Sequence, residues 1–471
     1  MKIILINPPI SNVIDPSLPE ILLKEEDPMP PLGLMYLAAY LQNNSEHEVK
    51  IIDCQIEKLD FTDLRDRLIH EQPDAVGITT MTFTLLDVLD VVHQVKSIDE
   101  NIKVILGGPH VHLYPEETIN LKGVDYLVLG EGEEILRELL DNIASSEKMS
   151  QIKGIVFKDT NNNVINTGYR ELNVNLDALP MPARHLTPYK QYKSSMAKKF
   201  PVTTMFTSRG CPYKCLFCDR PHMGKYFRPR SAQNVVDEME ECQNMGIQEI
   251  FIYDDTFGVD RQRVLDICSE IIKRKLFISW DIRTRVNTVD AEILKNLKNA
   301  GCKRIHYGVE AGTQHIINIL RKGITVEMAN EAFRLTRKHG IQTLGYFMIG
   351  SPTETKKDIL ITIKLARKLN PDYAHFSITT PYPGTALYEL GLENGIYAND
   401  YWRDFARNPN KNFNPKIWDE ILSREELIGL LKKAYQSFYL RPTYIIKRLK
   451  EVSSFKELVN KASMGLNIFK I

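Results

Sequence analysis

Short apolar runs alternate with amphipathic stretches twice along this 471-residue chain, and a Pro-rich break separates the two series. In the first series, residues 2–6, 49–52, 74–78, 103–106 and 125–129 are brief and rich in Val, Ile and Leu. That is the composition of strands buried on both faces. Between them, 32–41, 61–70, 85–96 and 133–143 place apolar residues at helical spacing. Such repetition predicts a doubly wound, Rossmann-like parallel sheet over residues 1–145.

The second series has longer units. Strands are expected at 203–207, 249–253, 279–283, 304–308, 343–348 and 374–379, and helices at 232–244, 261–273, 291–299, 313–320, 326–339 and 356–368. Six units predict a partial, TIM-like (β/α)6 barrel over 201–395. Residues 146–200 read as a connector, with a β-hairpin from Gly154-Ile155-Val156-Phe157 around Asn161-Asn162-Asn163 and an extended crossing at Leu179-Pro180-Met181-Pro182. A helical tail over 396–471 completes an α/β fold.

Sixty Lys plus Arg balance 60 Asp plus Glu, so no net field steers the chain toward nucleic acid, and no nucleic-acid partner is expected. The apolar start MKIILINPPI is too short for a signal peptide, and no run of about 18 apolar residues would span a bilayer. A cytoplasmic protein is expected. Of seven Cys, the scattered Cys54, Cys242, Cys268 and Cys302 are expected as buried small hydrophobes.

The other three concentrate the chemistry. Ser208-Arg209-Gly210-Cys211-Pro212-Tyr213-Lys214-Cys215-Leu216-Phe217-Cys218 sets thiols at a C-x3-C-x2-C spacing on one loop. Thiolates are natural iron–sulfur ligands, and three of them leave one iron of a cluster open to a small molecule. A zinc knuckle is the competing reading, but no second ligand half follows, and His222 would make a cramped fourth ligand. The spacing, the aromatic Phe217 and the SRGCP lead-in resemble the signature of the radical S-adenosylmethionine superfamily. The resemblance implies a [4Fe-4S] cluster on Cys211, Cys215 and Cys218, with S-adenosylmethionine chelating the open iron and Phe217 beside it.

Barrel chemistry sits at the carboxyl ends of strands. Those ends carry the Cys loop, Asp254-Asp255-Thr256-Phe257, Arg283 with Arg285, Gly308-Val309-Glu310-Ala311-Gly312, Gly350-Ser351-Pro352-Thr353-Glu354 and Pro381-Tyr382-Pro383-Gly384-Thr385. Carboxylates suit an ammonium, a guanidinium suits a carboxylate, and acceptors suit ribose hydroxyls. By the resemblance, Asp254 or Asp255 would meet the ammonium of S-adenosylmethionine, Arg283 or Arg285 its carboxylate, and Glu310 its ribose. A surface ion pair or a cap is the alternative role of each. The family's glycine-rich stretch after the second strand is replaced here by the Asp pair.

In the first series the strand ends carry Asn7-Pro8-Pro9, Asp53, Thr79-Thr80, Gly107-Gly108-Pro109-His110 and Gly130-Glu131-Gly132. With PPLGLMYLAAYL, VILGGPHVHLYPEE and VDYLVLGEGEE, this arrangement resembles the cobalamin-binding domain of one class of radical S-adenosylmethionine enzymes. It implies corrinoid contacts from Asn7, Thr79, Thr80, Gly107, Gly108, Gly130 and Glu131. The D-x-H-x-x-G motif that supplies a lower cobalt ligand in many cobalamin proteins is absent. Asp90-Val91-Val92-His93 has the wrong spacing and falls within a helix, while His110 and His112 lie near a suitable strand end.

The resemblance further implies the chemistry. An electron from the reduced cluster would break a sulfonium carbon–sulfur bond, the 5′-deoxyadenosyl radical would take hydrogen from an unactivated carbon, and methylcobalamin would donate a methyl group. Anaerobic oxidative cyclisation shares this architecture and is the rival; Phe438-Tyr439-Leu440-Arg441-Pro442 is similar to that subgroup. A non-enzymatic corrinoid or redox sensor is the reading from another class. A small-molecule or lipid substrate and a reducing partner such as flavodoxin or ferredoxin are implied. In the tail, Tyr401-Trp402-Arg403-Asp404-Phe405 is expected over the barrel's open side. The basic stretch 444–458 is expected as a solvated helix face, with an anionic membrane surface as the alternative.

Overall fold

In the computed structural model, which describes residues 1–14, 27–219 and 224–450, both series fold as the alternation predicts. The first gives β1 (Lys2–Asn7), α1 (Leu32–Asn44), β2 (Glu48–Asp53), α2 (Phe61–Glu71), β3 (Ala75–Thr79), α3 (Leu85–Ile98), β4 (Lys103–Gly107), β5 (Tyr126–Val128) and α4 (Gly132–Asn142). These strands are parallel, in the order β2-β1-β3-β4-β5. Successive strand residues point to opposite faces, which splits the core in two. Ile3 and Leu5 pack with Leu34, Met35, Leu136 and Leu139 of α1 and α4; Ile4 and Ile6 pack with Leu64, Leu68, Val88 and Val92 of α2 and α3. Burial on both faces is why β1 reads as a continuous apolar run. The strand order reverses between β1 and β3, and ligands of such sheets lie beyond the carboxyl ends at that point.

The hairpin of β6 (Ile155–Lys158) and β7 (Val164–Asn166) is part of this sheet. Strand β6 pairs antiparallel with β5 and extends the sheet to seven strands. The rest of the connector is anchored on both sides. Tyr192 Oη donates to Asp53 (2.7 Å) in the first sheet, and the Met196 carbonyl accepts from Arg304 (2.8 Å) in the second.

The second series gives β8 (Val202–Met205), β9 (Ser208–Arg209), β10 (Arg228–Pro229), α5 (Ala232–Asn244), β11 (Glu249–Ile252), α6 (Arg261–Lys273), β12 (Ser279–Thr284), α7 (Ala291–Asn299), β13 (Cys302–Glu310), α8 (Gln314–Ile319), α9 (Val326–Lys338), β14 (Gln342–Ile349), α10 (Lys356–Leu369) and β15 (Tyr373–Ile378). Six parallel strands, β8 and β11 to β15, lie side by side in chain order as an open arc. Helices start where the sequence supplies a cap: Ser231 accepts from the Asn234 amide at α5, Asp260 from Arg263 at α6, and Thr355 with Asp358 closes a capping box at α10. The four scattered Cys are buried, as expected.

An open arc leaves β15 as an unpaired edge. Helix α11 (Tyr401–Arg407), expected there, instead packs toward the first sheet: Trp402 and Phe405 cluster with Ile14, Leu85 and Tyr114, and Arg403 lies 3.5 Å from Glu117. The edge is covered by α12 (Arg424–Tyr439). Tyr435 Oη lies between the amide (3.2 Å) and carbonyl (2.9 Å) of Phe376, and Tyr439 Oη between those of Ala374 (2.9 and 2.7 Å). One helical turn from i to i+4 advances about 6 Å and two strand residues about 6.6 Å, so phenols one turn apart match alternate strand residues. In α13 (Pro442–Lys450) two of the cations turn to the barrel. Lys447 Nζ meets Asp372 at 2.8 Å and Arg448 meets the same residue, while Ile445, Ile446 and Leu449 are exposed. Residues 451–458 lie outside the described residues. No described helix is long and apolar enough to cross a membrane.

Candidate active site at the facing strand ends

Strands β9 and β10 pair antiparallel, Arg209 with Arg228 and Ser208 with Pro229, and so close off residues 210–227 as a loop. Asp254 holds the entrance. Its Oδ1 accepts from the amides of Thr207 (2.6 Å) and Ser208 (3.1 Å), and its Oδ2 from their hydroxyls (2.5 and 2.6 Å). With no exposed surface and both oxygens engaged, Asp254 shapes the loop and offers no atom to an ammonium. That departs from its expected role, because a chain turning out of β8 needs its amides and hydroxyls satisfied in a dry interior. Asp255 is exposed.

Cys211 is buried, with Sγ 3.8 Å from Thr256 Oγ1; Cys215 is half-buried and Cys218 exposed. Although Cys218 as a whole is exposed, desolvation by the loop, followed by Asp255 and the thiols of Cys215 and Cys211, pushes its thiol up to about 12. Thiols crowded in this way ionise readily only when a cation binds them. Among the described residues no three His, Cys, Asp or Glu converge on a single metal ion. A [4Fe-4S] cube takes each thiolate on a different iron, and three thiols on one loop fit that donor set. His222 lies outside the described residues.

Around the loop stand residues from two further strand ends. Arg285 stacks on Tyr213 (3.9 Å), donates to Cys215 Sγ (3.6 Å) and binds the Lys322 carbonyl. Lys322 Nζ lies 2.7 Å from Glu310 Oε1 and 5.7 Å from the Phe217 ring. Glu310 is 5% exposed, with φ +68° at a register shift that ends β13. Left-handed backbone at a non-Gly residue is strained, and such strain concentrates at functional sites. Lys322 escaped the sequence reading because it follows a helix rather than a strand. Arg283 does not join Arg285; its guanidinium lies 3.8 Å over the Tyr253 ring. Glu354, placed at a strand end by the sequence but given no role there, is 1% exposed; Oε2 accepts from the Ser351 amide (2.9 Å), Oε1 has no described partner, and burial pushes the carboxyl up to about 7.

The residues expected against a corrinoid divide. Asn7 is engaged within the sheet, donating to Asp53 (2.8 Å) and accepting from Gln55 (3.2 Å). Thr80 is fully buried, and Gly108, at φ +112°, answers to it: a Cβ there would lie 2.8 Å from the Thr80 carbonyl oxygen. Thr79, Gly107 and Gly130 are half-buried on the rim, and a Cβ on Gly130 would meet nothing within 4 Å. Glu131 is instead an ion-pair partner. Its Oε1 lies 2.9 Å from both Arg209 Nη1 and Arg228 Nη2, and its Oε2 is 2.9 Å from Arg228 Nη1 and 3.0 Å from the Asn173 amide. Glu133 adds a 2.6 Å pair to Arg209. Two guanidiniums buried beside the Cys loop require counter-charges, and the first domain supplies them. His110 is fully enclosed, with Nδ1 3.1 Å from Thr82 Oγ1, and burial lowers its pKa to about 3. His93 lies within α3, as expected.

The carboxyl edges of the two sheets therefore face one another across the Cys loop. A Cβ on Gly384, after β15, would lie 2.5 Å from Leu113, after β4.

Residues 21–140 match the B12 binding domain family and residues 205–366 the radical SAM superfamily. The chain is 37% identical over 469 residues to an uncharacterized methyltransferase of Pyrococcus horikoshii, spanning 99% of this chain and 98% of that one. It is 28% identical over 425 residues to the anaerobic magnesium-protoporphyrin IX monomethyl ester cyclase of Rubrivivax gelatinosus, spanning 88% of this chain and 75% of that one. Its fold is similar to that of the cobalamin-dependent S-adenosylmethionine radical enzyme OxsB, solved with aqua-cobalamin and S-adenosylmethionine bound (TM-score 0.75, 19% identity, 99% of this chain and 71% of that one). It is also similar to the radical S-adenosylmethionine methyltransferase TsrM of Kitasatospora setae, solved with cobalamin and a [4Fe-4S] cluster bound (TM-score 0.67, 21% identity, 83% and 75%). With both domains matched in order and a full-length relative above 30% identity, the chain belongs to the radical S-adenosylmethionine enzymes that carry an N-terminal B12-binding domain.

Proposed function

We propose that this enzyme abstracts hydrogen from an unactivated carbon of a small-molecule substrate and methylates that carbon. The observation that carries the reading is the meeting of two strand-end rims, with the Glu131 side of the first sheet clasped to the hairpin that bears Cys211, Cys215 and Cys218. Bound there, a [4Fe-4S] cluster with S-adenosylmethionine supplies a 5′-deoxyadenosyl radical, and cobalamin carries the methyl group. The thiolates of Cys211, Cys215 and Cys218 would hold the cluster. Arg285, beside Cys215, receives the carboxylate of S-adenosylmethionine, and Asp255, near Cys218, its ammonium. Glu310 turns from Lys322 to the ribose hydroxyls. Thr79, Gly107 and Gly130 line the corrinoid side. The closed approach of the rims limits water at the reacting carbon. A reducing partner such as flavodoxin or ferredoxin delivers the electron, and exposed Cys218 is the ligand nearest solvent.

Oxidative cyclisation is the second reading, favoured by the likeness to the Rubrivivax gelatinosus cyclase over 88% of this chain. It shares the first step and differs in the fate of the substrate radical. The test is anaerobic incubation of reconstituted, reduced protein with S-adenosylmethionine. Release of 5′-deoxyadenosine by wild type, and its loss in Cys218→Ala, supports the reading; intact S-adenosylmethionine with wild type holding about four irons refutes it. S-adenosylhomocysteine formed alongside distinguishes methyl transfer from cyclisation.

A further inference from the structure

The concave side of the barrel is built in two layers. In the deeper one Arg304 bridges Glu249 (3.0 Å) and Asp281 (2.9 Å), and His306 Nε2 lies 3.1 Å from Asp281. All four residues are at most 5% exposed, and the Met196 carbonyl closes the layer from the connector side. The layer nearer the Cys loop is different. Arg283, Tyr253, Tyr346 and His375 are only half-buried, so they border open space. Arg283 lies over the Tyr253 ring, Tyr346 Oη is 3.1 Å from His306 Nδ1, and His375 meets the Tyr346 ring edge-on at 5.6 Å. Arg283 stands two residues before Arg285, which touches Cys215. At about 3.3 Å per strand residue, it sits about 6.6 Å farther from the cluster loop, on the same face.

Of the other arginines buried near this site, Arg263 and Arg285 donate to backbone carbonyls, and the rest meet carboxylates: Arg304 has two, Arg209 two, and Arg184, Arg228 and Arg230 one each. Among the described residues Arg283 has none within ion-pair distance. Its neighbours are the phenols of Tyr253 and Tyr346, and the nearest acid, Asp281, is already engaged by Arg304 and His306. A half-buried guanidinium with no carboxylate partner keeps donors for a ligand, and its planar fork is matched by carboxylate or phosphate oxygens.

We infer that the substrate carries an anionic group, a carboxylate or a phosphate, that docks on Arg283 on the concave face of the barrel, its remainder lying against Tyr253, Tyr346 and His375. A neutral lipid does not fit this lining. The inference rests on reading the rim above as the radical site, and it separates the arginine within β12 from the one just beyond its end: Arg285 serves S-adenosylmethionine, Arg283 the substrate.

The test is saturation-transfer NMR on full-length protein carrying oxidised cluster and hydroxocobalamin, both diamagnetic, with benzoate, phenyl phosphate and neutral benzamide as probes. One or both anions should bind at least about tenfold more tightly than benzamide, and the tighter anion identifies carboxylate or phosphate as the preferred group. Arg283→Gln should lose about tenfold in affinity for the anions while Arg283→Lys keeps part of it, with far-UV circular dichroism confirming that each variant is folded. Saturating S-adenosylmethionine should leave the anion bound. Equal binding of benzamide, indifference of the anions to Arg283→Gln, or displacement of the anion by S-adenosylmethionine overturns the inference; the last would give Arg283 to the cofactor's carboxylate. Release of 5′-deoxyadenosine is scored separately, so the rim reading and this one fail independently.

Discussion

Replacing Glu131 with Ala should destabilise the protein by about 3–5 kcal/mol, the cost of breaking a buried ion pair rather than an exposed one. Side-chain exposure is 10% at Glu131, 7% at Arg209 and 2% at Arg228, so water is largely excluded. The substitution removes the acceptor of four hydrogen bonds and takes from Arg228 the carboxylate that it meets at 2.9 Å. Arg209 keeps Glu133 at 2.6 Å, which confines the loss to one guanidinium and argues against a doubled cost. Urea unfolding followed by two probes measures it. Of the three Trp, 280 and 418 sit in the barrel and tail and 402 packs against the first sheet, so fluorescence is weighted toward the barrel half while far-UV circular dichroism reports both. In wild type the transitions should coincide; in Glu131→Ala they should separate, because the clasp no longer couples the domains. Combining it with Arg228→Met should recover about 2 kcal/mol as a coupling term. The effect should change little between low and high salt, since screening acts weakly on buried pairs. A loss below about 1 kcal/mol, or one that salt abolishes, would refute the reasoning.

Three further outcomes are expected. Burial raises the Glu354 carboxyl from an ordinary 4.5 to about 7, so the folded state holds that proton more tightly, and its stabilising share is complete below pH 4.5 and gone above about pH 7. Relative to wild type, Glu354→Gln should therefore gain stability by about 3 kcal/mol across that window, and a difference flat in pH would contradict it. Gly108→Ala forces a Cβ to 2.8 Å from the Thr80 carbonyl oxygen at φ +112°, which should cost about 2–4 kcal/mol by chemical denaturation and lower the corrinoid retained after reconstitution and desalting. Tyr439→Phe strips the Ala374 amide and carbonyl on the β15 edge of their phenol, and a drop of about 1–3 kcal/mol in unfolding free energy is expected; an unchanged midpoint would show that water replaces the hydroxyl.

Much of the architecture was legible because its signals are local. Helices α5, α6 and α7 span the residues that apolar periodicity predicts, and the structure shows Ser231, Asp260 and Asp290 capping their first turns. The strands read as apolar runs because helices cover them. The edge cover was not legible: Tyr435 and Tyr439 look like ordinary core aromatics until β15 lies beside them. The same holds for the connector, whose hairpin is recognisable in sequence while its pairing with β5 is a long-range event.

The site divides along the same line. Spacing alone put Cys211, Cys215 and Cys218 on one loop, because a chelating set within eight residues is a property of the chain. Strand-end position alone gathered Asp254, Asp255, Arg285 and Glu310 at one rim, since a parallel sheet delivers every carboxyl end to the same side, while Arg283, expected with them, lies one layer deeper. What each of those groups does depends on which opposite charge or donor lies within about 3 Å, and that is decided between segments far apart in sequence. Thus Asp254 turned inward to Thr207 and Ser208, Glu131 crossed from the first domain to Arg209 and Arg228, and Lys322 came to Glu310. The sequence by itself determined the two folds and the metal-binding loop, which follow from hydrophobic period and ligand spacing. Only the tertiary structure decided which charged side chains are neutralised by partners and which remain for a ligand, because desolvation and pairing act through space.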